Sequence, residues 1–285
     1  MGEMLRMARD FLERKAVDEA RLEAELLVAH ALGTDRLGVY MRLDQPVVAP
    51  EIDRARDLLV RRGRREPVAY ITGQREFYGR PFHVTRDVLI PRPETELLVD
   101  RARELAAAHA SREAGLTLGD FGTGSGCIAI TLALEVPGAR VHGVDSSATA
   151  LECALGNARR LEADVRLVAG DSPSALCRGD GAPAALDFLL SNPPYVTPEE
   201  AADLAPEVRD FEPSTALFAP AGKPHYWLER LLDEGLELLS PGGVLLVELG
   251  HRQQETAHEL ARQRGLEARV HPDLDGVGRV FEVTR

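Results

Sequence analysis

The stretch "DFGTGSGCIAITLAL", residues 120–134, joins an apolar strand pattern to an apolar helix pattern through three alternating glycines. Glycine permits a sharp backbone turn and lets a ligand approach without interference from a Cβ atom. A second strand pattern ends at Asp145, about 20 residues beyond the last glycine, and an acid at that distance can accept both hydroxyls of a ribose. The pattern therefore predicts a site for a nucleoside cofactor, formed by Gly122, Thr123, Gly124, Ser125, Gly126 and Asp145.

The order of the glycines distinguishes two classes of cofactor. Dinucleotide sites usually contain GxGxxG and seat a pyrophosphate on a helix N-terminus, whereas this loop is GxGxG and follows Asp120. The loop therefore favours S-adenosylmethionine, which has no pyrophosphate. Asp171 follows the next strand and fits two roles, a hydrogen bond to the adenine amino group or a cap of the following turn.

The stretch "LLSNPPYVTP", residues 189–198, places a rigid polar turn directly after another apolar strand. Proline fixes φ and has no N–H donor, which leaves the neighbouring carbonyls free of ladder partners. The Asn192 side-chain oxygen and the Pro193 carbonyl can then accept both hydrogens of one planar NH₂ group, and Tyr195 can lie over that group. We predict that Asn192, Pro193, Pro194 and Tyr195 hold an amide or amine that receives the methyl group.

Strand and helix patterns alternate from residue 116 onward, which predicts an α/β fold with a doubly wound, mainly parallel, seven-stranded sheet of the Rossmann-like, class I methyltransferase type. The predicted strands are 116–121, 140–145, 166–170, 187–191, 243–249, 266–271 and 279–284. Upstream, apolar positions three and four residues apart predict helices, one of which begins at Pro50. We divide the chain into a helical bundle at 1–75, a hairpin or linker at 76–92, and a methyltransferase domain at 93–285.

Composition excludes several classes of protein. The 285 residues, 44% of them hydrophobic, suffice for one large domain and a smaller one. No apolar run approaches the roughly 20 residues that cross a bilayer, and residues 1–20 lack the apolar core of a secretory signal. We therefore expect a cytoplasmic protein without a membrane partner. Cysteine and histidine spacing indicates neither a disulfide framework nor a metal site.

The net charge of −12 opposes binding to a phosphate backbone, so we expect no direct nucleic-acid substrate. The one dense basic run, "RRGRRE" at residues 61–66, is typical of a solvated helix end, with a nucleic-acid contact as the alternative. The segment "PRPETE", residues 91–96, indicates a helix that begins with proline and acidic residues. As an alternative, Arg92, Glu94 and Glu96 shape the mouth of the cofactor site.

Six stretches of the chain, in order, closely resemble the HemK-type (PrmC) release factor glutamine methyltransferases. They are "PVAYITGQREFYGRPFHV", "LIPRPETELLVD", "DFGTGSGCIAITLA", "SNPPYV", "PEVRDFEPSTALFAPAG" and "LSPGGVLLVELGHRQ". The resemblance implies that S-adenosylmethionine methylates the N5 amide nitrogen of the glutamine in the GGQ motif of class-I peptide chain release factors. It also implies that residues 1 to about 75 contact the release factor.

The resemblance also assigns individual residues. Residues 122–126 form the cofactor loop and Asp145 binds the ribose, while Asp171 and Ser172 border the adenine. The turn at 192–195 holds the substrate glutamine, and Asn192 borders the cofactor as well. Some relatives have an aromatic or large apolar residue where this chain has Ser172, which leaves the stacking partner of the adenine unassigned.

Two other functions compete with this one. An adenine or cytosine amino-methyltransferase of DNA or RNA also presents a planar NH₂ group to an NPPY turn, but it requires a surface that grips phosphates and flips a base. A non-catalytic cofactor-binding or scaffold protein would have no need for a complete loop, acid and turn.

Overall fold

The computed structural model describes residues 1–108 and 115–285. Their contacts form two compact units, one of residues 1–74 and 204–211, the other of residues 75–203 and 212–285. The boundaries drawn from the sequence differ from these units at residues 204–211, which the sequence pattern assigns to the methyltransferase domain. Arg62 accounts for part of this difference, because its buried guanidinium pairs with both Glu23 and Glu207.

The α-helices of the described residues are α1 (Gly2–Arg14), α2 (Ala20–Ala31), α3 (Arg36–Tyr40), α4 (Ala49–Gly63), α5 (Val68–Thr72), α6 (Glu96–Ala108), α7 (Cys127–Glu135), α8 (Ala148–Arg160), α9 (Pro206–Phe211), α10 (Ser214–Leu217), α11 (Tyr226–Arg230) and α12 (Gln254–Gln263). Short 3₁₀ segments lie at Pro93–Thr95, Pro173–Cys177, Pro198–Asp203 and Leu236–Leu238, and a π-helical turn at Leu231–Gly235. None of the described helices has the length and hydropathy needed to cross a membrane.

The first unit is a helical bundle, as predicted. Its core is formed by buried aliphatic side chains of α1 and α2, among them Leu12, Leu27 and Val28. Helix α4 begins near Pro50, and the Glu51 carboxylate accepts a hydrogen bond from the Val48 backbone N–H that precedes the helix. Proline and an acidic residue at a helix start satisfy or remove donors that have no partner in the helix.

The second unit contains a seven-stranded sheet in the order β5-β4-β3-β6-β7-β9-β8. Its strands are β3 (Thr117–Phe121), β4 (Arg140–Asp145), β5 (Val165–Ala169), β6 (Leu186–Ser191), β7 (Leu239–Glu248), β8 (Ala268–Pro272) and β9 (Gly278–Thr284). Strands β3 to β7 pair in parallel, whereas β9 is antiparallel to both β7 and β8. The seven predicted strands and the mainly parallel sheet are confirmed.

Both faces of this sheet are covered. Alternate residues of β6 belong to different hydrophobic clusters, with Phe188 and Leu190 on one face and Leu189 on the other. A parallel strand buried on both sides reads as a continuous apolar run, which is the pattern of "FLL" at residues 188–190. Strand β3 lies between β4 and β6, with Phe121 opposite Ser191. The turns that follow β3 and β6 therefore leave the sheet side by side.

A hairpin of β1 (Gln74–Phe77) and β2 (Arg80–His83) precedes the sheet, where the sequence indicated a hairpin or linker. Its two-residue turn places both Tyr78 and Gly79 at positive φ, the conformation that a tight hairpin requires. The buried Asn157 side chain of α8 bonds the N–H and the carbonyl of His83 and also donates to the Ser125 carbonyl. Asn157 thereby ties strand β2 to the glycine loop.

Candidate functional site

A cleft lies where β3, β4, β5 and β6 end. Nine of the predicted site residues line it, namely Gly122, Thr123, Gly124, Ser125, Asp145, Asp171, Asn192, Pro193 and Pro194. Gly126, Ser172 and Tyr195 are not in the lining. The structure thus brings most of the predicted cofactor and substrate residues to one cavity, at the edge of the sheet where doubly wound folds bind ligands.

The glycine turn, residues 122–126, owes its shape to its backbone. Gly122, Gly124 and Gly126 have φ angles of +77°, +55° and +81°, a region that residues with a Cβ rarely adopt. At Gly126 a Cβ would also lie 2.7 Å from the Ile130 side chain, so packing alone already requires glycine at this position. The first two glycines leave open space beside the backbone, as the approach of a cofactor requires.

Asp120, directly before this turn, is completely buried. Its Oδ2 accepts hydrogen bonds from the Thr123 hydroxyl at 2.7 Å and the Ala129 N–H at 3.2 Å, which connects the turn to α7. Burial raises the pKa of this carboxyl to about 7, and the charge of Asp145 contributes to the rise. The sequence pattern assigns no role to Asp120 beyond its place before the loop. In the structure, its hydrogen bonds hold the turn against the start of α7.

Asp145 lies at the end of β4, where the sequence placed it. One carboxylate oxygen accepts the Gly124 N–H at 2.8 Å and the other the Ser147 N–H at 2.9 Å. Each oxygen can accept a second hydrogen bond, and the half-buried carboxylate lines the cleft. An ionised carboxylate only accepts hydrogen bonds, so it can bind the two neighbouring hydroxyl groups of a ribose.

Asp171 and Ser172 follow β5 but differ in position. Asp171 is exposed and lines the cleft. The Ser172 side chain instead caps the 3₁₀ segment at Pro173–Cys177, where it accepts from the Ser174 N–H, and it donates to the Glu234 carboxylate. The hydroxyl of Ser172 is therefore engaged outside the cleft, and the residue does not supply an aromatic or apolar wall for an adenine ring.

Asn192 is held by a chain of hydrogen bonds that reaches two distant parts of the sequence. Its Nδ2 donates to the Thr95 hydroxyl at 3.0 Å, and that hydroxyl donates to Oε2 of Glu248 at 2.6 Å. Glu248 is buried at the end of β7, and burial raises its pKa to about 7. The bond from Nδ2 to Thr95 fixes the orientation of the Asn192 carboxamide, and with it the direction of Oδ1, which is a hydrogen-bond acceptor.

Tyr195 lies apart from the other predicted substrate residues. Its ring packs on Gly250, where a Cβ would lie 2.8 Å from a ring carbon, and it lines a second, smaller cavity with Glu248 and Trp227. Burial raises the pKa of its hydroxyl to about 12, and the charge of Glu248 adds to this effect. Tyr195 is outside the lining of the cleft, and its role over a bound amide stays a prediction.

The segment "PRPETE" begins a helix, as the sequence indicated, and of the three residues named in the alternative, Arg92, Glu94 and Glu96, only Arg92 lines the cleft. Pro93 begins the 3₁₀ turn that leads into α6, while Arg92 and Thr95 line the cleft. Arg92 pairs with the buried Glu212 at 2.5 Å, and the same carboxylate accepts the Ile90 N–H at 3.1 Å. Within residues 1–108 and 115–285, no group of three or more His, Cys, Asp or Glu residues is arranged to hold a metal ion.

The chain is similar in sequence to known proteins. Residues 3–73 match the family model described as the PrmC N-terminal domain, and residues 96–210 match the methyltransferase small domain. The release factor glutamine methyltransferase of Koribacter versatilis is 42% identical over 269 residues, covering 94% of this chain and 92% of the relative. The enzyme of the same name from Geobacter sulfurreducens is 40% identical, covering 97% and 94%. The chain belongs to the release factor glutamine methyltransferase family.

This family membership confirms the resemblance read from the sequence and the prediction of a methyltransferase. A third family member, from Chlorobaculum tepidum, is 44% identical and covers 87% of this chain and 84% of its own. Among solved structures, the hMettl16 catalytic domain in complex with an RNA hairpin matches 83% of this chain and 81% of its own with a TM-score of 0.56. Its sequence is 18% identical, so this likeness supports the fold alone.

Three residues that support the site in this family member are not indicated by the sequence pattern. Thr95 and Glu248 hold Asn192, and Asn157 anchors the glycine turn. One sequence feature could have identified Glu248: it ends the apolar run "VLLVE", and burying a carboxylate there is costly unless it has a hydrogen-bond partner. No such feature identifies Thr95, since threonine in the first turn of a helix is ordinary.

Proposed function

We propose that the protein transfers the methyl group of S-adenosylmethionine to the N5 amide nitrogen of the glutamine in the GGQ motif of class-I peptide chain release factors. The names of the family members support the reaction. The observation that carries the proposal for this chain is the single cleft lined by both the glycine turn and the Asn192–Pro194 turn, at the ends of the adjacent strands β3 and β6. A methyl donor and a planar amide bound there would be neighbours.

The cofactor fits the residues that line the cleft. Gly122 and Gly124 leave the backbone open, Asp145 offers acceptors to a ribose, and Asp171 offers one to an adenine amino group. S-adenosylmethionine supplies a methyl group activated by a sulfonium. The assignments of Thr123, Ser125 and Gly126 to the same loop, and of Ser172 to its adenine end, remain part of this proposal.

The substrate amide is a weak nucleophile, because its nitrogen lone pair is delocalised into the carbonyl. Holding it in line with the methyl group contributes on the order of 7 to 11 kcal/mol. Oδ1 of Asn192 and the Pro193 carbonyl accept the two N–H groups and stabilise the positive charge that develops on nitrogen. The nitrogen forms a bond to the methyl carbon as the carbon–sulfur bond breaks, and it then releases one proton to water.

The two units have different tasks in this proposal. The helical residues 1–75 bind the release factor away from the reacting amide, and residues 93–285 perform the chemistry in the cytoplasm, where release factors act. Pro194 and Tyr195 keep the turn at residues 192–195 rigid. Tyr195 does so by packing on Gly250.

A labelling experiment tests the proposal against its nucleic-acid rival. The protein is incubated with methyl-labelled S-adenosylmethionine and one of four acceptors: an intact release factor, the same factor with its GGQ glutamine replaced by alanine, duplex DNA, or RNA. We expect label on the intact factor only. Label on DNA or RNA would establish the amino-methyltransferase instead, and equal label on both release factors would place the reaction at another residue.

A further inference from the structure

Trp227 is the only tryptophan in the chain and lies in the first turn of α11. It is partly exposed and lines the large cleft. Phe121 is the only other aromatic residue of the described chain in that lining, and it is 6% exposed. The indole therefore offers the larger accessible aromatic surface in the cleft.

Trp227 is connected to the part of the cleft that contains Asp171. Arg230, one turn further along α11, donates to the Asp171 backbone carbonyl at 2.9 Å. The same guanidinium lies 5.7 Å from the centre of the Trp227 ring and is fixed by two 2.7 Å hydrogen bonds to Glu234. The arginine thus links the indole to the strand end where an adenine amino group would bind.

The indole is also supported from behind. The ring centres of Trp227 and Phe121 are 5.7 Å apart, a packing distance that restricts indole motion. Phe121 directly precedes Gly122, so the indole lies beside the start of the glycine turn. Ser172, by contrast, uses its side chain to cap a 3₁₀ segment and is absent from the lining.

We propose that Trp227 is the aromatic surface against which the purine of the methyl donor packs, in the part of the cleft that contains Asp171. This inference rests on the proposed function, because it presupposes a nucleoside cofactor. Stacking of a base on an aromatic side chain is worth a factor of roughly 5 to 100 in affinity when the side chain is truncated. Trp227 is a binding residue in this role and takes no part in the transfer itself.

Because Trp227 is the only tryptophan, the tryptophan fluorescence of the protein reports on this residue directly. A purine stacked on the indole quenches that fluorescence. Titration with S-adenosylhomocysteine and with adenosine should therefore quench the emission of the wild-type protein, whereas methionine should not.

Trp227→Leu should weaken S-adenosylhomocysteine binding about 5- to 100-fold by calorimetry, whereas Trp227→Phe should keep most of the wild-type affinity. Leu274→Ala is the control, because Leu274 is fully exposed and outside the cleft lining; it should bind as the wild type does.

The outcomes separate this inference from the proposed function. If S-adenosylhomocysteine binds with unchanged emission, and Trp227→Leu binds it equally well, the inference is wrong and the proposed function stands. If methionine quenches and adenosine does not, Trp227 borders the amino-acid half of the cofactor and the inference is again wrong. If calorimetry shows no binding of S-adenosylhomocysteine to the wild type, both fail. Thermal unfolding of the variants checks that each is folded.

Discussion

The two turns that border the cleft are both supported by a buried carboxylate, but they are stabilised over very different distances in the sequence. Asp120 holds the glycine turn through Thr123 and Ala129, three and nine residues away. Glu248 holds the Asn192 turn through Thr95, which is 153 residues from Glu248 and 97 from Asn192. The glycine turn is a local structure, whereas the Asn192 turn depends on the completed fold.

The difference also concerns what each turn presents to the cleft. The glycine turn presents backbone atoms, because its three left-handed residues are glycines and have no side chain. The Asn192 turn offers a side-chain oxygen whose direction is set by the bond from Nδ2 to Thr95. A change in the first should therefore alter folding and cofactor binding, and a change in the second should alter catalysis.

Asn192→Ala gives the largest expected effect. It removes the acceptor that holds the substrate amide, so kcat should fall about 10²- to 10³-fold, in line with the loss of one oriented group that stabilises transition-state charge. The dissociation constant for S-adenosylhomocysteine, measured by calorimetry, should change by no more than about threefold. Equal losses in kcat and cofactor affinity would show that Asn192 serves the cofactor instead.

The two buried carboxyls should make stability depend on pH. Both have a pKa raised to about 7 by burial, above the value of about 4 in an unfolded chain. The folded state therefore binds more protons between pH 4 and 7, and the free energy of unfolding should fall as the pH rises through this range, by at most about 1.4 kcal/mol per unit for each group. Urea unfolding at pH 5 and pH 8 measures the change.

Two variants sharpen this pH comparison. Glu248→Gln and Asp120→Asn each replace one ionisable group by an amide that does not titrate. Each should reduce the loss of stability between pH 5 and pH 8 relative to the wild type. A pH dependence identical to that of the wild type in both variants would contradict the assignment of the effect to these two carboxyls.

Gly126→Ala should destabilise the glycine turn by about 2 kcal/mol, because the added methyl group meets Ile130 and the backbone has φ +81°. Gly156→Ala is the matched control. Gly156 lies within α8 with no atom close to an added Cβ, so alanine there should stabilise the protein by about 0.5 to 1 kcal/mol. Thermal or urea unfolding compares the two, and equal effects would remove the packing role given to Gly126.

Thr95→Val gives the smallest expected effect, a fall in kcat of about 10-fold with cofactor affinity unchanged. Valine has nearly the shape of threonine but cannot link Asn192 to Glu248, so the carboxamide loses its orientation. Thr95→Ser keeps the hydroxyl and should keep most of the activity. Similar losses in the valine and serine variants would indicate a packing role for the methyl group rather than a positioning role for the hydroxyl.

Much of the fold was predictable from the sequence, because its signals are local. Alternating strand and helix patterns identified the seven strands, and GxGxG followed by an acid at the end of the next strand identified the glycine turn and Asp145. Backbone conformation and strand burial depend on residues near one another in the chain. The pairing of β3 with β6 places the glycine and Asn192 turns side by side.

The tertiary structure alone decided which side chains face the cleft and what orients them. In the folded protein, Ser172 bonds Glu234 and Tyr195 lines a smaller cavity, while Trp227 lines the cleft. Residues 204–211 belong to the helical unit. Hydrogen bonds such as those of Thr95 connect residues that are distant in sequence, and their geometry exists only after the strands and helices have packed. Local sequence patterns specify backbone shape, whereas the direction of a side chain depends on neighbours that only folding supplies.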